Sequence, residues 1–403
     1  MEKRLRVLFF ANRIPYPPYR GDKLKIYNLA SRLKDRHELH LITFAQTRSE
    51  FQYQPELEKI FDSVTLLYLP KWRSIWNCIL ALNPLGKHVP FQVAYFRHPK
   101  MNRLLDSFLS KHSIDVIHVQ HMRMAQYMTN RKDYPRILDL PDAFSLYWER
   151  RKEVKRPLMN RIFDAVESRR VLRYEKIASQ FELNLACSIE DIRHLRKTHP
   201  GPQFELLRNG VNLDTFKFSG HDYQRSRTLL FTGNMDYAPN VDAVGHFVKN
   251  MLPQIREKCD IRLVIAGQRP VQSVLDLAND HVEVTGFVED LSKMYADADV
   301  VIAPLRFGAG TQNKVLEALA MGVPVVCTNI GFEGLEVESG EGVFLGRNDR
   351  EFIEHCIALL QSTELRESTG TKGLTVARER FSWDVVSTQL EEYLLRLKTK
   401  SGS

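Results

Sequence analysis

"VVIAPLRFGAGTQNKVLEALAMGVPVV", residues 300–326, decides the fold. A short β-branched run ends at Leu305, a loop with two glycines follows, and "KVLEALA" then has the spacing of a helix before "PVV" returns to an apolar run. Strand, glycine loop, helix and strand in that order make one βαβ unit of a parallel sheet. The loop Arg306-Phe307-Gly308-Ala309-Gly310 lies at the carboxyl end of its strand, the edge where open α/β sheets bind ligands. It carries few side chains, so backbone can approach a ligand. The helix expected from about Thr311 then presents its first N–H groups, with Gln312 and Asn313 beside them, and carries roughly half a positive charge at that end, which suits phosphate. Lys314 and, three residues on, Glu317 share one helix face. An isolated pair of this spacing reads as a solvated ion pair worth about 0.2–0.5 kcal/mol. Where glycine loop, strand end and helix start coincide, a lysine for phosphate oxygens and a carboxylate for ribose hydroxyls read instead as a site for a nucleotide diphosphate.

The same alternation runs outward from this unit in both directions. Residues 5–11, 38–45, 63–70, 114–120, 136–140 and 181–188 are near-continuous apolar runs, as strands covered on both faces require, and 228–234, 261–268, 282–287, 300–305 and 324–329 repeat the scheme. Helical lengths separate them. Two doubly wound, Rossmann-like α/β domains follow, at 1–203 and 204–381, with the polar stretch Thr198–Gln203 and its Pro200-Gly201-Pro202 as the linker. A final helix over 382–400, with Ser382 as its N-cap, is expected to cross back to the first domain.

Of the 403 residues 43% are hydrophobic and 26% charged, a globular composition of two or three domains. The five cysteines are scattered without metal-ligand spacing, which fits a reduced, cytoplasmic chain. The apolar run after the basic start ends at Asn12-Arg13, too early for an export signal, and no stretch approaches a spanning helix. The net charge of +8 is unevenly spread. Residues 1–205 hold 36 Lys and Arg against 22 Asp and Glu, whereas 206–403 hold 21 against 27. A basic first half calls for an anionic partner. Within it, residues 71–101 interleave Trp72, Trp76, Phe91, Tyr95 and Phe96 with Lys71, Arg73, Lys87, Arg97 and Lys100, and further cations crowd 150–176. Rings among cations suit a bilayer interface, though amphipathic helices with solvated basic faces give the same pattern.

Residues 286–326, with "RNGVNLDTF" (208–216) and "GNMDYAPN" (233–240) ahead of them, resemble the donor-binding half of retaining GT-B glycosyltransferases of family 4, the group 1 glycosyl transferases. "RIPYPPYRGDKLKIYNLASRL" resembles their N-terminal glycine loop and first helix, and its wording is similar to the exosortase-linked (PEP-CTERM) polysaccharide sugar transferases. The resemblance covers nearly the whole chain. It implies two domains facing a cleft and retaining transfer from a UDP- or GDP-linked sugar, with no cofactor beyond that donor. The implied acceptor is a glycan or a lipid-linked saccharide of cell-surface or exopolysaccharide assembly.

By the resemblance Glu317 takes the place of the second glutamate of the family's E-x7-E element, which holds the ribose, while the first falls on Ala309. The family's arginine and lysine after the strand opening the second domain are replaced by Gly233-Asn234-Met235-Asp236, so Lys314 and Arg306 are expected to supply the positive charge. Gly21 and Asp22 match the loop facing donor phosphates and acceptor. In "DVIHVQH" (115–121) Gln120 occupies a usual histidine place, which makes His121 the catalytic candidate and His118 a strand residue. Asp297-Ala298-Asp299 spells a metal-binding D-x-D, yet it ends a helix and leads into a strand, where a turn or cap role wins. No metal is then required.

The readings that compete are a nucleotide-sugar epimerase of the same fold, for which no acid–base pair stands out, and a non-catalytic nucleic-acid-binding protein. The second lacks a zinc spacing or an RNP-type aromatic run, so the basic half is read as facing an anionic membrane at the inner face of the cell membrane rather than nucleic acid.

Overall fold

Each apolar run named above contains a strand, and every pairing between the named strands is parallel. The structure, a computed structural model, describes residues 4–18, 21–82, 89–153 and 158–401. Contacts divide the chain into one unit of residues 1–208 with 386–403 and a second of 209–385.

In the first unit β1 (Arg6–Ala11), β2 (Glu38–Ala45), β3 (Ser63–Tyr68), β4 (Val116–Gln120), β5 (Arg136–Leu140), β6 (Leu183–Ala186) and β7 (Phe204–Leu206) form one sheet in the order β3-β2-β1-β4-β5-β6-β7. Strands β4, β5 and β6 are buried at every residue, which is why their sequences do not alternate. The helices of this unit used below are α1 (Gly21–Leu33), α2 (Lys71–Leu80), α3 (Phe91–Tyr95), α4 (Met122–Ala125) and α5 (Leu158–Tyr174).

The second unit holds β8 (Thr228–Thr232), β9 (Arg262–Ala266), β10 (Val282–Gly286), β11 (Val300–Ala303), β12 (Val325–Cys327) and β13 (Val343–Leu345), in the order β10-β9-β8-β11-β12-β13. Separate apolar clusters cover its sheet, one built around Val315 and Leu319 and the other around Phe231 and Phe247. Each such side chain contributes about 1.5–3 kcal/mol on burial. Its helices used below are α6 (Ala238–His246), α7 (Leu291–Ala296) and α8 (Asn313–Ala320), and α9 (Trp383–Ser401) ends the chain.

Both sheets reverse their winding beside their first strand, between β1 and β4 and between β8 and β11. These are the topological switch points, where loops diverge and leave a crevice at the carboxyl ends of the strands.

Two edge strands, β7 and β13, have no counterpart in the sequence reading. At three residues each they are too short to show a period. Because β7 pairs with β6, the 198–203 stretch lies inside the first unit, and the first unit continues to Arg208 rather than stopping at residue 203. Ser382 does cap the last helix, accepting from the Val385 N–H at 3.3 Å. From Val386 onward that helix belongs to the first unit, where the Glu391 carboxylate lies 2.8 Å from His37 Nε2 and Tyr393 donates to the Leu206 carbonyl.

Candidate functional site

The loop after β8, Gly233-Asn234, and the loop after β11, residues 304–312, both leave the second sheet at its switch point. The glycine loop needs its glycines: Gly310 has φ +74°, a left-handed conformation that a side chain disfavours. Helix α8 starts at Asn313 rather than Thr311, because Gln312 is still extended at φ −86°, ψ 111°. Gln312 donates through its amide to the Gly310 carbonyl, and its side chain makes no capping hydrogen bond to the helix. Ala309 and Thr311 are buried in the turn.

Lys314 and Glu317 do not meet as a solvated pair; each has its own partner. The Lys314 ammonium donates to Asn240 Oδ1 at 2.8 Å and sits 3.9 Å from the centre of the Phe231 ring. Asn240, on α6, in turn donates to the Asn234 carbonyl at 3.0 Å. Gly233 makes room for both: a Cβ there would stand 2.6 Å from Asn240 Nδ2 and 3.4 Å from Lys314 Nζ. Burial pushes the Lys314 ammonium down to about 7, with Glu317 pulling it back up. A lysine so poised gains from any anion that arrives.

Glu317, partly exposed, accepts from the Tyr295 hydroxyl at 2.6 Å, and Thr232 Oγ1 lies 2.7 Å from the same hydroxyl. Burial raises the Glu317 carboxyl, while Tyr295 and Lys314 lower it. The chain Thr232–Tyr295–Glu317 ties the end of β8, helix α7 and helix α8 into one network. Arg306, expected to supply positive charge with Lys314, places its guanidinium on the Asp242 carboxylate through two hydrogen bonds. Asn234 is held by Gln268 at 2.7 Å. Of the two expected cations, Lys314 is therefore the one placed at the head of α8.

In the first unit His121 follows β4 at the other switch point. Its backbone has φ +74°, uncommon for a residue with a side chain, and its N–H completes the sheet on the Asp139 carbonyl at 2.7 Å. The ring caps α4, accepting from the Arg123 N–H through Nδ1, and lies 4.7 Å from the Phe144 ring centre. Burial, then Arg123 and Arg13, push the imidazole well below its ordinary value, so it is neutral at pH 7. His118 is a core residue of β4, 5.0 Å from the Phe9 ring centre. Beside it lies a buried ion pair that the sequence reading missed: Lys25 donates to Asp139 Oδ1 at 2.7 Å and to the Leu207 carbonyl, and His118 Nε2 is 3.3 Å from Asp139 Oδ2. Burial alone would raise the Asp139 carboxyl, but Lys25 and His118 hold it low. Gly21 opens α1 and is exposed; the Asp22 side chain lies outside the described residues.

Residues 226–362 match the model of the family described as Glycosyl transferases group 1. The second unit carries a group 1 glycosyl transferase domain. Among curated proteins the chain is similar to the phosphatidyl-myo-inositol mannosyltransferase of Mycobacterium leprae (strain TN), 30% identical over 196 residues, which are 46% of this chain and 51% of that one. The chain thus spans about half the length of that relative. Among solved structures, sucrose-phosphate synthase from Thermosynechococcus elongatus superposes with a TM-score of 0.75 at 15% identity, covering 98% of this chain and 100% of that one. Anabaena HepE, solved in complex with UDP and glucose, gives 0.67 at 17% identity over 97% and 99%. These likenesses give the fold, two parallel-sheet units of GT-B type.

Within the group 1 domain Asp299 has a structural task. Its Oδ2 accepts from the Arg227 and Thr228 N–H groups at 2.7 Å each, joining the starts of β8 and β11, while Asp297 is exposed at the end of α7. Asn240 and Tyr295 are the residues of the domain's site that sequence reasoning missed. Both come from other elements, 74 and 22 residues from their partners. Tyr295→Phe should leave Glu317 and the Thr232 hydroxyl short of a partner and cost about 1–2 kcal/mol of stability. Calorimetric titration with a nucleotide should show binding weakened about tenfold, and undiminished binding would mean Tyr295 does not position Glu317.

Proposed function

We propose that the protein is a retaining glycosyltransferase that moves a sugar from a UDP- or GDP-linked donor to a lipid-linked or glycan acceptor of cell-surface or exopolysaccharide assembly. The observation that carries this is Lys314, buried against Asn240 and Phe231 at the amino end of a helix that follows a glycine turn. The donor diphosphate lies against that helix end, with Lys314 on its oxygens and Glu317, fixed by Tyr295, on the ribose. Ala309 stands where the family's first glutamate would, and the backbone of 308–310 takes up the sugar hydroxyls.

In the step itself the bond from the anomeric carbon to the diphosphate oxygen breaks, and the acceptor oxygen bonds to that carbon on the same face. The acceptor proton passes to the leaving phosphate. Charge growing on the leaving group is met by the α8 N–H groups and Lys314, an arrangement that calls for no divalent metal. His121, neutral and held by its own backbone turn, is the catalytic candidate of the first unit.

The mannosyltransferase relative is named for phosphatidyl-myo-inositol, and HepE was solved with UDP and glucose, which favours a nucleotide donor and a lipid acceptor. Among the described residues no helix is long and apolar enough to cross a membrane. The basic first unit would meet such an acceptor on an anionic surface, at the inner face of the cell membrane. A panel of UDP- and GDP-sugars read by thermal shift tests the donor part. One base class should raise Tm in the wild type and not in Lys314→Ala. A rise with oligonucleotides, or with neither nucleotide class, would overturn the proposal.

A further inference from the structure

Two helices of the first unit turn apolar faces outward. On α2, Trp72, Ile75, Trp76, Ile79 and Leu80 recur at helical spacing and are each 50–65% exposed, while Ser74 on the opposite face is buried and Cys78 reaches back to the Phe91 carbonyl. On α5 a second stripe, Leu158, Met159, Ile162, Phe163 and Val166, is 41–77% exposed. Side chains of this size exposed singly need no explanation, but two contiguous stripes mark a surface that something covers.

The stripes flank one short helix. Phe163 stacks on Phe91, the first residue of α3, at 5.5 Å and 11°, and the Phe91 N–H donates to Glu167 on α5. On the other side α2 packs on α3 through Cys78. Phe96, one of the rings expected at an interface, is instead buried in the core, and Lys87 lies outside the described residues.

The charges decide what covers the stripes. Helix α2 has no acidic residue and opens with Lys71 and Arg73. Helix α5 has two acids, Asp164 and Glu167, and both are turned inward and buried, on Arg151 and on the Phe91 N–H. Its outer face keeps Arg161, Arg169 and Arg173, all exposed. Every exposed charge on these two helices is therefore positive, set beside tryptophan and long aliphatic side chains. That combination matches the boundary between phosphate headgroups and acyl chains, where tryptophan, leucine and arginine each find their preferred depth.

We propose that α2 and α5 together form a membrane-docking face that inserts Trp72, Trp76, Ile162 and their neighbours into an anionic lipid bilayer. This rests on the membrane part of the function proposed above and names the surface that serves it. Binding is measured without donor or acceptor, so it fails separately from sugar transfer.

The whole protein is mixed with phosphatidylcholine vesicles, with and without phosphatidylglycerol, and sedimented at low and high salt. Sedimentation with the anionic vesicles, weakened by salt, is expected, together with quenching of tryptophan emission by brominated acyl chains. Trp72→Ser with Trp76→Ser should weaken binding at least about tenfold. Arg161→Glu should weaken it about fivefold or more. Ile162→Glu tests α5 alone and should weaken it as well. Three results would overturn the proposal: wild-type protein left in the supernatant with anionic vesicles, vesicle binding without bromine quenching, or a dimer in sedimentation velocity that Trp76→Ser dissociates, which would make a second copy the occupant.

Discussion

Replacing Lys314 by methionine is expected to abolish the thermal shift caused by nucleotide sugar and to lower transfer by about two to three orders of magnitude, the usual cost of removing one preorganised charge-stabilising donor. At saturating donor the wild type should gain about 3 kcal/mol, or roughly 5–10 °C in Tm, and the variant almost nothing. The unliganded proteins differ in a second way. Burial holds the Lys314 ammonium at about 7, against an ordinary value of 10.5. Between those two values the unfolded chain keeps a proton that the folded one has lost. Wild-type stability therefore rises with pH from about 7 to 10.5, and below 7 the folded state bears the full cost of a buried cation. Lys314→Met should lack that rise. Donor affinity runs the opposite way. The diphosphate selects the protonated lysine, so wild-type affinity should be flat below pH 7 and fall by up to about tenfold per pH unit above it. Titration calorimetry from about pH 6 to 9 reads the affinity slope, and thermal melts over the same range read the stability slope; a pH-independent affinity equal to the variant's would remove Lys314 from the site.

The sequence carries the part of this site that is local. Strand β11, the glycine loop and α8 occupy consecutive residues, so Lys314 and Glu317 can be placed on a helix face pointing from a strand end. Their partners cannot. Asn240 reaches Lys314 from α6 and Tyr295 reaches Glu317 from α7, through packing that no period announces. Arg306 escapes a sequence reading for the same reason: Asp242, 64 residues upstream, claims its guanidinium. Lys25 leaves a fainter signal, since it stands four and eight residues before Leu29 and Leu33 on the buried face of α1, where a lysine demands a carboxylate. The two missed strands lie at sheet edges, where three residues of pairing suffice and no long apolar run is needed. The outward stripe of α5 is hidden by its arginines, because a count of charge does not show that both acids on the helix turn inward.

The close approach of two loops beneath the site leads to the other large effect. Gly267 follows β9 at φ +157°, and a Cβ added there would overlap the Gly233 carbonyl oxygen outright. No rotamer can relieve that overlap, since the obstacle is backbone. Gly233 is itself pinned, its N–H donating to the Ala266 carbonyl at 3.1 Å and its α-carbon facing Asn240. Gly267→Ala must therefore push the end of β8 away from β9 and carry Asn240, and with it Lys314, out of place. A destabilisation of about 3–5 kcal/mol is expected, which for a unit of this size lowers Tm by roughly 10 °C, with donor binding lost even where the protein still folds. Gly245→Ala supplies the contrast. It lies in α6, nothing stands within 4 Å of a Cβ added at that position, and the substitution should stabilise the helix by about 0.5–1 kcal/mol while leaving donor binding untouched. Equal melting temperatures and equal donor shifts in the two variants would show that the β8 and β9 loops have room to separate, and that the Lys314 pocket does not depend on their contact.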